Sequence, residues 1–165
     1  MKVAIVHDWL TEIGGAEKVI KELYKCFPNA DFYTMVCTLP KEDLTYVFGD
    51  NIPQIHTSFL DKYSLFRKRH QKFFFLFPMA VEAFDLSEYD LVISSSYAGA
   101  KGVLTSPAQT HISYCHSPAR YAWDLMHQYL ADAGLHKGLK RSLAMFFLTY
   151  YRQWDVTASN RVDYY

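Results

Sequence analysis

The chain reads as an α/β domain built on an open, mostly parallel sheet with helices on both faces. Three observations predict this. Short apolar runs of strand type alternate along the chain with stretches of helical periodicity. The first run, V-A-I-V-H at residues 3–7, is apolar at successive positions, as a strand covered on both faces must be. Polar clusters follow the strand ends, where ligands bind in open α/β sheets.

The elements follow in order. After Val3–His7, residues 8–15 form a loop containing Gly14 and Gly15. Ala16, Val19, Ile20, Leu23, Tyr24 and Phe27 then recur at helical spacing until Pro28 stops the pattern. Phe32–Thr38 is rich in β-formers and predicts the second strand. Residues 39–51 read as polar and turn-like, and Gln54–Ser58 as a weak short strand. Leu65–Phe84 is aromatic and basic, and is expected to form two helical pieces around Pro78. Asp90–Ser96 is a clear strand. Val103 belongs to another short strand or to a connection. His111–His116 is a further strand. Ser117 and Pro118 then read as the N-cap and first position of a helix that Gly134 closes. From Leu139, apolar residues at 143, 146, 147, 150, 151 and 154 predict a longer amphipathic helix. Residues 161–165 look like the entry to another strand, so the domain is expected to be cut before its last strand.

Length and composition bound the class. One domain fits 165 residues, half of them hydrophobic. The longest apolar run, Phe73–Val81, is too short to span a bilayer and contains Pro78. The N-terminus reaches His7 and Asp8 before a signal-peptide core forms. Cys26, Cys37 and Cys115 lie far apart and read as small buried apolar residues in a reducing compartment. The net charge of zero hides segregation. Lys62–Val81 carries five Lys/Arg and no Asp/Glu, and Ala133–Trp154 carries four and none.

Candidate chemistry gathers in three clusters: His7–Gly15, Ser94–Gly99 and Cys115–Arg120. Gly14 and Gly15 before a helix suit an anion or simply make a turn. His116, between a strand end and the expected helix, either reaches a ligand or bonds to backbone, and His7 has the analogous place. Asp8 accepts from a sugar hydroxyl or from helix backbone. Ser94–Ser96 binds a ligand or turns the chain. His111 and His116 make a poor metal pair, so no metal site is expected. The dinucleotide fingerprint, P-loop, nucleophile elbow and nucleic-acid signatures are absent from the sequence. Arg67, Lys68, Arg69 and Lys72 beside a run of Phe suit either an anionic membrane surface or a helix with a Phe-rich core face. Lys137, Lys140 and Arg141 beside Met145, Phe146 and Phe147 allow the same two readings, with core packing favoured by the regular periodicity.

The opening V-A-I-V-H-D-W-L-T-E-I-G-G-A-E-K-V-I resembles the first strand, loop and helix of family-4 glycosyltransferases. Y-C-H-S-P-A-R-Y-A-W-D-L at 114–125 resembles that family's histidine-proline segment, in wording closest to bacterial mannosyltransferases of polysaccharide and O-antigen assembly. D-V-T-A-S-N-R-V-D-Y-Y at the end is similar to the helix leading into the next strand. The resemblance implies a GT-B fold, of which residues 1–165 form the Rossmann-like N-terminal, acceptor-side domain. The nucleotide-sugar domain, with its basic and glutamate pairs, is absent from this sequence. It further implies metal-independent, retaining sugar transfer with a nucleotide sugar, GDP-mannose, as co-substrate and no resident cofactor. The acceptor would be a glycan or lipid-linked molecule, met in the cytoplasm at the inner face of the membrane. Carried over by position, His116 contacts the transferred sugar. Gly14 and Gly15 approach donor phosphates or acceptor, and Asp8 and Arg120 lie on the acceptor side. The alternative is a non-enzymatic module of the same fold that docks on a membrane or partner through its basic aromatic helices. A third reading, a nucleotide-binding oxidoreductase, lacks its fingerprint.

Overall fold

The computed structural model describes residues 1–165. Five strands, β1 (Val3–Leu10), β2 (Asp31–Cys37), β3 (Ile55–Thr57), β4 (Leu91–Ser96) and β5 (Thr110–Cys115), form one open sheet. All neighbours are parallel and the order is β3-β2-β1-β4-β5. This is an α/β architecture consistent with a Rossmann-like fold. The chain winds outward from β1 to β3, then returns across β1 to lay down β4 and β5. Between β1 and β4 the loops leave in opposite directions, which opens a crevice at the C-terminal ends of those two strands.

Helices α1 (Gly15–Cys26) and α2 (Lys41–Phe48) cover one face, where Ile20, Tyr24, Val47 and Phe48 pack on Val3, Ile5, Phe32 and Ile93. The other face carries α3 (Phe59–Lys62), α4 (Ser64–Arg69), a 3₁₀ segment (His70–Leu76), α5 (Phe77–Glu82), α6 (Met126–Asp132) and α7 (Leu139–Ser159). There Phe77, Val81, Leu148, Tyr151 and Trp154 meet Ala4, Val6, Tyr33, Met35 and Val92 in a larger core. No helix is long and apolar enough to cross a membrane.

Several elements differ from their sequence reading. The first strand runs on to Leu10, because Asp8, Trp9 and Leu10 are buried rather than looped out. Residues 41–48 are a helix, not a turn. Phe48 is the reason, since its ring packs edge-on against both Tyr24 and Phe32. The 65–84 window holds three short helical pieces in place of two. Pro78 does not divide them but sits in the first turn of α5, where its missing N–H costs nothing. Val103 lies in a connection, one of its two expected places, after a 3₁₀ turn at Ala100–Gly102. Ser117 and Pro118 do not start a helix. The chain makes tight turns from 119 to 125, and α6 begins at Met126. Gly134 does close that helix, at φ 72°, with Gly134 N–H donating to Ala131 O and Leu135 N–H to Leu130 O. The cysteines are not the buried apolar residues expected: Cys26 and Cys115 are exposed and Cys37 is half-buried. At the C-terminus, Tyr164 forms a single parallel bridge to Ile112 on the outer side of β5.

Two polar devices fasten the rim. Asp8 is fully buried, and its carboxylate accepts four backbone N–H groups at 2.7–2.8 Å, from Tyr97, Ala98, Gly99 and Ala100. It thereby locks the loop after β4 onto the end of β1. Behind that loop, Lys101 and Asp155 form a buried ion pair at 2.6 Å, and Trp123 Nε1 donates to the same carboxylate. Tyr151 Oη donates to Ala98 O, so α7 is stitched to the loop as well. Gly102 is required for this approach, because a Cβ there would collide with the Trp154 ring.

Removing the Asp8 carboxylate orphans four backbone donors at once, three of them buried. Asp8→Ala is expected to lower unfolding stability by about 3 kcal/mol or more. Urea unfolding of the two proteins measures it, and a loss below about 1 kcal/mol would show that water replaces the carboxylate at little cost.

Candidate functional site

The crevice at the ends of β1 and β4 gathers the three clusters that the sequence singled out. His7 comes from β1, Ser95 from β4, and His116 from the residue after β5. Parallel register puts His7 beside Ser95, and Ser95 beside Tyr114. Their side chains join in one hydrogen-bonded row. His116 Nε2 lies 2.8 Å from Ser95 Oγ, which lies 3.1 Å from His7 Nδ1. His7 Nε2 lies 3.3 Å from Glu17 Oε1, and Glu17 Oε2 accepts the Gly14 N–H at 2.7 Å. The row crosses from the third strand end to the start of α1.

Electrostatics vary along it. Burial pushes the Glu17 carboxyl up, but hydrogen bonds from His7 and from the Glu17 and Gly14 N–H groups outweigh this and hold it below its usual range. Burial lowers the His116 imidazole, and His7 adds to this against the pull of Asp8 and Glu17. His116 is therefore favoured in its neutral form near neutrality. Its ring remains half-buried, against the fully buried His7. Tyr97 stands edge-on to both rings and to Trp9, and burial raises its phenol strongly, ahead of the Asp8, Glu17 and Glu12 charges.

The remaining candidates fall as follows. Gly14 is the N-cap of α1, but Glu17 already takes its N–H in the reciprocal half of a capping box. Apart from its chain neighbours and its own helix backbone, nothing lies within 4 Å of where a Gly15 Cβ would stand, so the open approach to the helix start is at Gly15. Asp8 has given both oxygens to backbone, but to the N–H groups of residues 97–100 after β4 and not to the helix that follows its own strand. Arg120 is exposed, 3.6 Å from Asp124. In the 67–72 window Arg67, Lys68, Arg69 and Lys72 point outward, and Phe73, Phe74 and Phe75 turn partly inward. Phe74 meets Tyr121 and Tyr151, and Phe75 stacks on Phe147. Arg67 is engaged at home, with Asp61 at 3.2 Å and the Cys37 carbonyl at 3.1 Å.

Beside the row an apolar groove of about 670 Å³ opens at the same rim. Trp9, Tyr97, Ser117 and Pro118 form its inner end, Phe74, Phe75, Leu130 and Phe147 its walls, and Lys72, Arg120 and Lys140 its basic margin. Sequence reasoning missed Glu17 and Tyr97. A glutamate three residues after the Gly14 N-cap, placed to take its N–H, was the available signal for Glu17. No group of three or more His, Cys, Asp or Glu side chains is gathered to hold a metal ion. Comparison with family models, with curated proteins and with solved structures returns no match.

Beneath the site, His111 is fully buried with Nε2 2.9 Å from Ser94 Oγ. Burial pushes its imidazole down to about 4, with Asp163 raising and Arg161 lowering it. The folded value lies below the ordinary 6.5, so the unfolded chain takes the proton first. This contribution is complete above about pH 6.5 and is lost as pH falls toward 4, by roughly 3 kcal/mol. Urea midpoints at about pH 7 and about pH 4.5 test it, with His111→Gln expected to flatten the difference. A midpoint that holds or rises on acidification contradicts the assignment.

Proposed function

We propose that this chain is the N-terminal, acceptor-side half of a retaining glycosyltransferase of GT-B type, moving mannose from GDP-mannose to a polysaccharide or lipid-linked acceptor. The observation that carries the reading is the meeting of His7, Ser95 and His116 at the crevice between β1 and β4. That crevice is where this sheet order binds ligands. The sequence resemblance independently assigns His116 to the transferred sugar. The apolar groove with its basic margin supports an acceptor carrying a lipid and a phosphate.

In this mechanism His116 is a hydrogen-bonding and positioning group, not a general base. It holds the sugar while the bond to the diphosphate breaks and the acceptor oxygen bonds the same carbon. The acceptor proton leaves with the diphosphate. Gly15 offers its open helix start to an anionic or hydroxyl group. A second domain supplies the nucleotide site, and the 165-residue chain alone is expected to be inactive.

Nucleoside diphosphate release across a panel of nucleotide sugars tests this in a polypeptide carrying both domains, with membrane lipid as acceptor. Selective release from GDP-mannose is expected, falling about 100-fold in His116→Ala. Release from another donor would keep the enzyme and discard mannose. Release from none would favour a binding module.

One observation supports that second reading. On α7, Leu139, Leu143, Phe146 and Tyr150 form an exposed apolar row, beside Lys137, Lys140 and Arg141. Regular periodicity hides this, because a second stripe of Leu148, Tyr151 and Trp154 faces the core. An amphipathic basic face of this kind fits an anionic lipid surface. Co-sedimentation with vesicles containing phosphatidylserine is expected, and little with phosphatidylcholine alone. The pair Leu143→Glu and Phe146→Glu should weaken binding by about tenfold or more. Undiminished binding would exclude α7. Loss on changing Arg67, Lys68 and Arg69 to Glu would instead assign the 67–72 window.

A further inference from the structure

Ser95 Oγ stands between two imidazole rings and has one proton to donate. On one side His7 Nδ1 lies 3.1 Å away, and the same nitrogen lies 3.0 Å from the Ser95 carbonyl oxygen. A carbonyl oxygen only accepts, so His7 Nδ1 carries its proton toward residue 95. The Ser95 hydroxyl then finds no lone pair on His7. Its proton is left for the other side, where His116 Nε2 lies 2.8 Å away. A neutral ring that accepts at Nε2 holds its own proton at Nδ1. No protein atom bonds that nitrogen. At Nε2 the His7 ring donates to Glu17 Oε1, so both His7 nitrogens donate and neither offers a lone pair, and Glu17 is itself pinned by the Gly14 N–H.

We infer that Ser95 and His7, anchored by Glu17, are positioning residues that fix neutral His116 as its Nδ1–H tautomer. The crevice then presents a hydrogen-bond donor rather than an acceptor. The ligand atom that His116 selects is an oxygen with a free lone pair, such as a sugar hydroxyl or ether oxygen. A group that can only donate, such as an ammonium, is refused at this point. The inference rests on the glycosyltransferase reading only in naming a sugar. The tautomer itself requires no donor, acceptor or second domain.

The test is ¹⁵N-imidazole NMR on the 165-residue chain, at a pH where His116 is neutral. His56 and His136 serve as internal references, and backbone amide spectra of β4 and β5 check the fold. Wild type is expected to show His116 protonated at Nδ1 and bare at Nε2. Ser95→Ala should shift the ring toward the Nε2–H form. His7→Phe frees the Ser95 proton from its constraint and should give a mixture of both tautomers. Wild-type His116 protonated at Nε2 would overturn the inference outright. An unchanged tautomer in a folded Ser95→Ala protein would overturn it as well. Pure Nδ1–H in His7→Phe would remove His7 from the row. If the tautomer behaves as expected and no sugar is ever turned over, the enzyme reading fails and the positioning role of Ser95 stands.

Discussion

One carboxylate sets the geometry on which the crevice depends. Asp8 sits at the end of the central strand, out of reach of water, and gathers the four N–H groups that follow β4. A buried charge of this kind survives only when it is satisfied by strong donors. Here the donors run through the loop after β4 into the 3₁₀ turn at Ala100, so the carboxylate and this bend stabilise each other. Tyr97 is thereby placed against His7, Trp9 and His116, and Lys101 is delivered to Asp155 on α7. Both walls of the crevice and the helix behind it refer back to this side chain.

The sheet order assigns the rest. A carboxylate at the end of β1 faces the loop of β4 because these strands are neighbours although far apart in sequence. The same adjacency lets a serine mediate between two histidines. Tyr97 lines the apolar groove and also stands edge-on to His116, so a polar row and an apolar surface meet at one side chain. A ligand with a hydroxylated head and a greasy tail would find both halves within the same rim.

Much of this could be read from the residues, and the exceptions have physical causes. The central strands β1 and β2 were legible because parallel strands buried on both faces are largely apolar, whereas β5 at the edge alternates buried and exposed positions. Residues 41–48 were not, because Lys41, Glu42 and Asp43 open a helix of only eight residues, held by little more than Leu44, Val47 and Phe48. Ser117-Pro118 misled, because a helix-start pair can equally open a series of tight turns. The three clusters at the strand ends were visible as residue types. What they do to one another was not, since which side chain satisfies Asp8, or turns toward Ser95, is settled by register and burial. Glu17 shows this best: in sequence it is one more helical acid, and in the fold it is the anchor of the row.

The central position of β1 also has a consequence in time. The hydrogen bond between His7 and Ser95 spans 88 residues. The unit β1-α1-β2 brings together parts close in sequence, while β4 must travel back across it before any part of the crevice exists. Closing a loop of that length costs entropy that only the later contacts repay. The half-assembled chain therefore leaves the β4 side of its first strand open, with an exposed hydrogen-bonding edge and an unsatisfied carboxylate. The crevice thus rests on contacts of high sequence separation, the kind for which loop closure costs most, and its geometry is only as firm as the pairing of β1 with β4.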